Sequence, residues 1–206
     1  MTSGTARVLS NVLLAVGTGL TVFPLLWVGY TALQVGPVQE AALASWDDPI
    51  PAASAGPTAQ SIAASPPTGL LLTIPRLGLK RFVPEGASLD QLRRYGVGRI
   101  TWTPMPDHAG IVGIAGHRTT YGAPFFRLDR LKRGDRILID HAGTRFMYSV
   151  TDRVAVRPHQ VDVLRGSPGQ RGVALVTCAP VYSAAYRLVI LGSLEEISPI
   201  AIDRVN

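Results

Sequence analysis

The sequence predicts a mainly-β domain, a sandwich or closed barrel with short helices, carried behind an N-terminal transmembrane helix. Three observations carry this. Residues 8 to 39 hold no charged side chain, and a stretch rich in Pro, Ala and Ser covers 36–69. From residue 70 onward, short apolar runs alternate with Gly, Pro and polar turns, the pattern of many short strands. A length of 206 residues suits one domain with an appendage. With 47% hydrophobic and 17% charged residues, the chain is too apolar for disorder. No Gly-X-Y period points to collagen. The single cysteine excludes an internal disulfide framework and a cysteine-rich zinc site.

The uncharged stretch is closed by Arg7 and Glu40. A spanning helix needs about 20 mostly apolar residues to cross roughly 30 Å of hydrocarbon. Residues 8–33 satisfy this, and 1–35 are assigned as a signal-anchor. Trp27 and Tyr30 fall near the far end, where amphipathic rings favour the membrane interface. Pro24 kinks such a helix without forbidding it. A cleaved signal peptide is the competing reading, with Ala42-Leu43-Ala44 as a small-x-small site, but its apolar region is ordinarily shorter. Arg7 and the N-terminal amine favour a cytoplasmic N-terminus, with the following domain outside the membrane.

Residues 36–69 read as a linker. Gly36-Pro37, Pro49, Pro51, Gly56-Pro57 and Pro66-Pro67 leave no helical or strand period. Such a segment is extended, at about 3.1 Å per residue, and would hold a domain tens of Å from the bilayer.

Residues 70–206 form the folded part. Leu70–Ile74, Leu79–Val83, Ile111–Ala115, Arg136–Ile139, Arg145–Val150, Val173–Thr177 and Tyr186–Leu191 read as strands. His141-Ala142-Gly143-Thr144 reads as a hairpin turn. Ser88 is placed to cap a helix over Leu89–Tyr95. Pro124 is placed to open a second helix over Phe125–Leu131, whose Phe125, Leu128 and Leu131 recur at i, i+3, i+6. This part carries 19 basic against 11 acidic residues, a net +8. That balance suits an anionic neighbour such as a wall polymer or lipid head groups. Nucleic acid is disfavoured, because no helical Lys/Arg stripe and no aromatic-basic signature is present.

The residues able to do chemistry are few. Cys178 ends an apolar run and precedes Ala179-Pro180, where a side chain emerges at a barrel rim. A thiol kept outside the cytoplasm is exposed to oxidation unless it has a use. His117 also follows a strand end, between Gly116 and a polar loop. A histidine within reach of a cysteine exchanges protons with it and stabilises the thiolate. His108, His141 and His159 read as surface residues. Arg187 interrupts an apolar strand nine residues after Cys178. A cation there has no use in a core but suits an oxyanion at the rim. Each residue also has a plainer reading: a buried small hydrophobe, a hydrogen-bonded loop histidine, an outward-facing arginine.

Together these residues and their surroundings resemble a sortase, of the class E type of high-GC Gram-positive bacteria. The resemblance rests on Gly116-His117-Arg118-Thr119-Thr120-Tyr121-Gly122-Ala123-Pro124-Phe125-Phe126, on Leu175-Val176-Thr177-Cys178-Ala179-Pro180, on Tyr186-Arg187 and on Ile74-Pro75-Arg76-Leu77-Gly78-Leu79. It implies an eight-stranded sortase-type β-barrel and cysteine transpeptidation at the cell surface. By it, Cys178 matches the nucleophile that attacks the Thr carbonyl of a Leu-Ala-x-Thr-Gly-like sorting signal. His117 matches the general acid and base, and Arg187 the group that steadies the oxyanion. Thr177, Tyr121 and Ala179 match positions near substrate. The implied partners are surface proteins bearing the signal and an acceptor amine of peptidoglycan precursor or pilin, together with the plasma membrane. No cofactor and no metal are implied.

Two places depart from the family pattern. Ala179 stands where a larger or polar residue is common, and Val97–Thr103 differs from the sequence usual before the histidine strand. Both lie where they would shape substrate binding. The competing function is a membrane-tethered scaffold that kept a barrel and lost catalysis.

Overall fold

A computed structural model describes residues 3–47 and 69–200. Helix α1 runs Ser3–Asp47. Its segment Arg7–Trp46 is long and apolar enough to cross a bilayer, and none of its most apolar window is buried. From Thr31 the character changes. Thr31, Val35 and Gln39 are buried at i, i+4, i+8, and Ala42, Leu43 and Trp46 continue the stripe half-buried. Residues at this spacing share one helix face.

The expected linker therefore starts later than residue 36. The helix passes through Gly36-Pro37 and ends at Asp47. Pro37 costs one backbone bond, yet tertiary packing overrides local propensity here. Gln39 Nε2 donates to the carbonyls of Phe82 (2.9 Å) and Tyr95 (2.7 Å), and its Oε1 accepts from the Phe82 N–H (3.0 Å). Trp46 meets the Phe82 ring with centroids 6.1 Å apart. Ala42-Leu43-Ala44 lies inside this seated helix. The rest of the expected linker, 48–68, lies outside the described residues.

The barrel is built from eight strands: β1 (Gly69–Ile74), β2 (Leu79–Pro84), β3 (Val97–Arg99), β4 (Gly110–Gly116), β5 (Arg136–His141), β6 (Thr144–Val156), β7 (Arg171–Ala179) and β8 (Tyr186–Pro199). Their order in the sheet is β2-β1-β5-β6-β8-β7-β4-β3. The neighbours pair antiparallel, except β4 with β7, which run parallel. Arg99 closes the sheet on itself. It bridges to Glu85, just past β2. Its guanidinium grips that carboxylate with two bonds of 2.6 and 2.5 Å and donates to the carbonyls of Ile100, Thr101 and Thr103. Val97–Thr103 is therefore part of the barrel seam.

Strand alternation sorts the side chains into two apolar layers. Val112, Ile114, Val173, Leu175, Leu188 and Ile190 face the barrel interior. Ile111, Ala174, Val176, Val189 and Leu191 face the other way and form a second cluster with Val154, Val156 and Leu164.

Two short elements follow the sequence closely. Helix α2 spans Leu89–Tyr95, and Ser88 Oγ accepts from the Gln91 N–H at 3.3 Å. Ala142 and Gly143 take φ of 48° and 76° in the turn joining β5 and β6, as a two-residue primed turn requires. The helix expected over Phe125–Leu131 is instead a chain of tight turns, with a 3₁₀ stretch only at Leu128–Arg130. Phe125, Leu128 and Leu131 are all buried. A spacing of three matches the 3.0-residue turn of a 3₁₀ helix better than the 3.6 of an α-helix.

Glu85→Ala should reduce stability by about 1–3 kcal/mol, since it strips the carboxylate from a buried guanidinium. Urea unfolding of the two proteins measures this; equal midpoints would show that the seam does not depend on the pair.

Candidate active site

The parallel pairing of β4 and β7 sets the site. Ala115 lies beside Val176; β4 ends at Gly116, one residue before His117, while β7 runs on through Cys178 to Ala179. Two bonds tie the strand ends. Thr177 Oγ1 donates to the Gly116 carbonyl at 2.7 Å, and Arg118 Nη1 donates to the Cys178 carbonyl at 3.2 Å. On the other side, Cys178 and Arg187 are direct cross-strand partners in the β7–β8 ladder. Paired residues of adjacent strands project to the same face. Cys178 and Arg187 thus continue the strand face that carries Ala174, Val176, Val189 and Leu191 of the second apolar cluster.

The loop after β4 is held tightly. The His117 N–H donates to the Gly96 carbonyl (2.9 Å), and the His117 carbonyl accepts from the Phe125 N–H (3.1 Å). Gly116 permits this closure, because a Cβ there would lie 2.5 Å from the Phe125 ring. Tyr121, Gly122 and Ala123 take φ of 50°, 74° and 42°. For the two residues that are not glycine this conformation costs on the order of 1–3 kcal/mol each, so the surroundings must enforce it. The Tyr121 ring packs on the imidazole, with centroids 4.8 Å apart.

Burial, and secondarily the Arg93 guanidinium on α2, push the His117 imidazole below its ordinary value of 6.5. The ring is therefore neutral at neutral pH. A neutral imidazole is able to accept a proton. Cys178 is half-buried. Arg187 Nη1 donates to the carbonyls of Ala184 (3.1 Å) and Tyr186 (3.2 Å), which holds the guanidinium at the β7–β8 turn. A hollow of about 290 Å³ opens there, lined by Arg157, Pro158, His159, Ala185 and Tyr186. A larger hollow of about 630 Å³, lined among others by Arg76, Arg130, Lys132, Arg133 and Arg153, touches none of the three residues.

The positions expected near substrate sort differently. Tyr121 lies against His117. Thr177 is 2% exposed and its hydroxyl is committed to Gly116, so it sets the spacing of β4 and β7 and does not face a ligand. Ala179 packs against the barrel core, which accounts for a small apolar side chain there. Arg118 was not singled out by the sequence. It is 6% exposed and spans from the Cys178 carbonyl to Asp129, at 3.1 Å. Its place beside His117 in the motif was visible; its burial was not. Among the described residues, no three His, Cys, Asp or Glu side chains are grouped to hold a metal ion.

Residues 72–195 match the sortase domain. The chain belongs to the sortase family. Sortases are cysteine transpeptidases. Sortase SrtE1 of Streptomyces coelicolor is 34% identical over 143 residues, covering 63% of this chain and 41% of that protein. The chain spans about two fifths of the length of the curated relatives it matches. The crystal structure of sortase E1 from Streptomyces coelicolor with a tripeptide in its active site is similar at TM-score 0.60 and 34% identity, covering 64% of this chain and 90% of that one. Sortase E of Streptomyces avermitilis is similar at TM-score 0.58 and 29% identity, covering 64% and 90%. The eight-stranded sortase barrel expected from the sequence is thus present.

Replacing Arg93 with Ala should raise the His117 titration midpoint toward 6.5, because a like charge is removed. Imidazole NMR titration of both proteins reads this directly; a wild-type ring that titrates at or above 6.5 would contradict the burial effect.

Proposed function

We propose that this chain is a membrane-anchored cysteine transpeptidase that cleaves a Leu-Ala-x-Thr-Gly-like sorting signal between Thr and Gly. The observation that supports this reading is the direct pairing of Cys178 with Arg187 across β7 and β8, beside the β4 end that leads into His117. As Sγ attacks the Thr carbonyl, its proton passes to His117, and the carbonyl oxygen gains the charge. The C–N bond then breaks, the imidazolium gives its proton to the leaving glycine amine, and a thioester remains. An acceptor amine from a peptidoglycan precursor or pilin attacks the thioester while His117 takes up its proton; the C–S bond then breaks, and the imidazolium returns that proton to Sγ. One hard amide exchange becomes two easier steps.

The low basicity of His117 serves both halves. At rest the ring is neutral and accepts the thiol proton; once protonated it is a strong acid toward the leaving amine. Arg187, directly across from the nucleophile, suits the developing oxyanion, and its planar fork fixes direction as well as charge. The apolar cluster on the face of Cys178 and Arg187 offers a floor for the aliphatic side chains of the signal, and the hollow beside Tyr186 extends it. Helix α1 supports anchoring, because its residues 8–30 are uncharged, mostly apolar and exposed. The catalytic domain would face outward.

The full chain in detergent, incubated with Leu-Ala-x-Thr-Gly peptides and an amine, should yield the Thr-linked amide by mass. Cys178→Ala should abolish turnover with the fold intact. Arg187→Lys should lose on the order of 10²–10³ in rate, by comparison with lost oxyanion donors. Full activity in Arg187→Lys would refute the oxyanion role.

A further inference from the structure

The membrane helix contacts the histidine loop directly. Thr31 is 1% exposed. Its Oγ1 donates to the Val28 carbonyl at 3.0 Å and accepts from the Tyr121 N–H at 3.1 Å. One turn on, Val35 is 4% exposed, and a Cβ at Gly122 would fall 3.6 Å from its side chain. Thr31 and Val35 thus cover two of the three consecutive residues held at positive φ. The next turn reaches the same histidine by another route. Gln39 donates to the Tyr95 carbonyl at the end of α2, and Gly96, which caps α2, accepts the His117 N–H.

We propose that α1 is a positioning element for the catalytic histidine, with Thr31 as its chief positioning residue acting through Tyr121. A left-handed Tyr121 persists only if its surroundings compensate for the strain. The Thr31 hydroxyl does so by accepting an N–H that would otherwise be stranded between helix and loop. With its backbone fixed, the Tyr121 ring stays on the His117 imidazole. Val35 holds the turn from above, and Gln39 holds α2, whose end fixes the His117 backbone. The seat begins one residue after Tyr30, at the end of the segment exposed on every face. With that exposed segment in a bilayer, the histidine loop would lie near the membrane surface. The extended spacing of tens of Å expected from the linker composition does not apply to this loop.

This rests on His117 being the proton carrier of the proposed reaction. The test uses the full chain in lipid nanodiscs. Thr31→Val keeps the shape and removes the acceptor, whereas Thr31→Ser retains it. Thr31→Val should lower kcat on the order of 10- to 100-fold, as expected for a displaced catalytic group, with KM and thermal midpoint little changed. Thr31→Ser should restore kcat. Equal kcat in wild type and Thr31→Val, or a Ser variant as poor as the Val variant, would overturn the proposal. Val35→Ala trims the same seat without touching a hydrogen bond and should give a smaller fall in kcat. It decides the matter if Thr31→Val does not fold, and an unchanged kcat there would also overturn the proposal. Amide hydrogen exchange separates the two claims. A wild-type chain that transfers no peptide sinks the transpeptidase reading. The helix contact is then judged by exchange alone: the Tyr121 N–H should exchange faster in Thr31→Val and stay protected in Thr31→Ser. Unchanged protection in Thr31→Val would refute it.

Discussion

The parallel pairing of β4 with β7 is the constraint on which the site depends. Parallel strands end in the same direction, so the loop after β4 and the last residues of β7 emerge at one edge. The antiparallel β8 then begins where β7 ends and sets Arg187 across from Cys178. Because side chains alternate with a period of two, a slip of one residue would send the thiol into the barrel and Thr177 out of it. The bonds from Thr177 to Gly116 and from Arg118 to the Cys178 carbonyl hold that register at the point where it matters.

Two layers of apolar side chains divide the work. The inner layer makes the barrel stable, and Arg99 with Glu85 joins its free edges. The outer layer lies on the face that Cys178 and Arg187 continue. The His117 backbone is tied to Gly96 at the end of α2. Burial and the nearby Arg93 favour the neutral ring. The basic balance of the domain suits an anionic surface.

The long helix joins these features to a segment long and apolar enough to cross a bilayer. Its first part is apolar on every side; its second part has one buried stripe fitted to β2, α2 and the histidine loop. Docking through Gln39 and Thr31 is made of hydrogen bonds to backbone, so it holds the loop's conformation and not merely its location. A helix docked this way packs as part of the barrel domain.

Much was legible from the residues in order. Strand cores, the Ser88 cap and the Ala142-Gly143 turn follow from local pattern, because alternation, capping and positive φ are short-range requirements. The motif around His117, the Cys178 strand and Arg187 identified the family. Other features depended on contacts between distant segments. Strand β3 is three residues long and contains Gly98, too short for a periodic signal. Pro37 looked like the end of a helix until Gln39 and Trp46 found partners forty residues away. Thr177 was expected near substrate, but its burial and its bond to Gly116 place it in the frame; burial does the same for Arg118, which the sequence did not single out. The sequence by itself determined most strand cores, the short capped helix and the tight turn, and named the groups able to react, since those are properties of neighbours along the chain. Only the tertiary structure decided which face the thiol takes, how basic the imidazole is and what holds its loop, because register, burial and docking arise where separate segments meet.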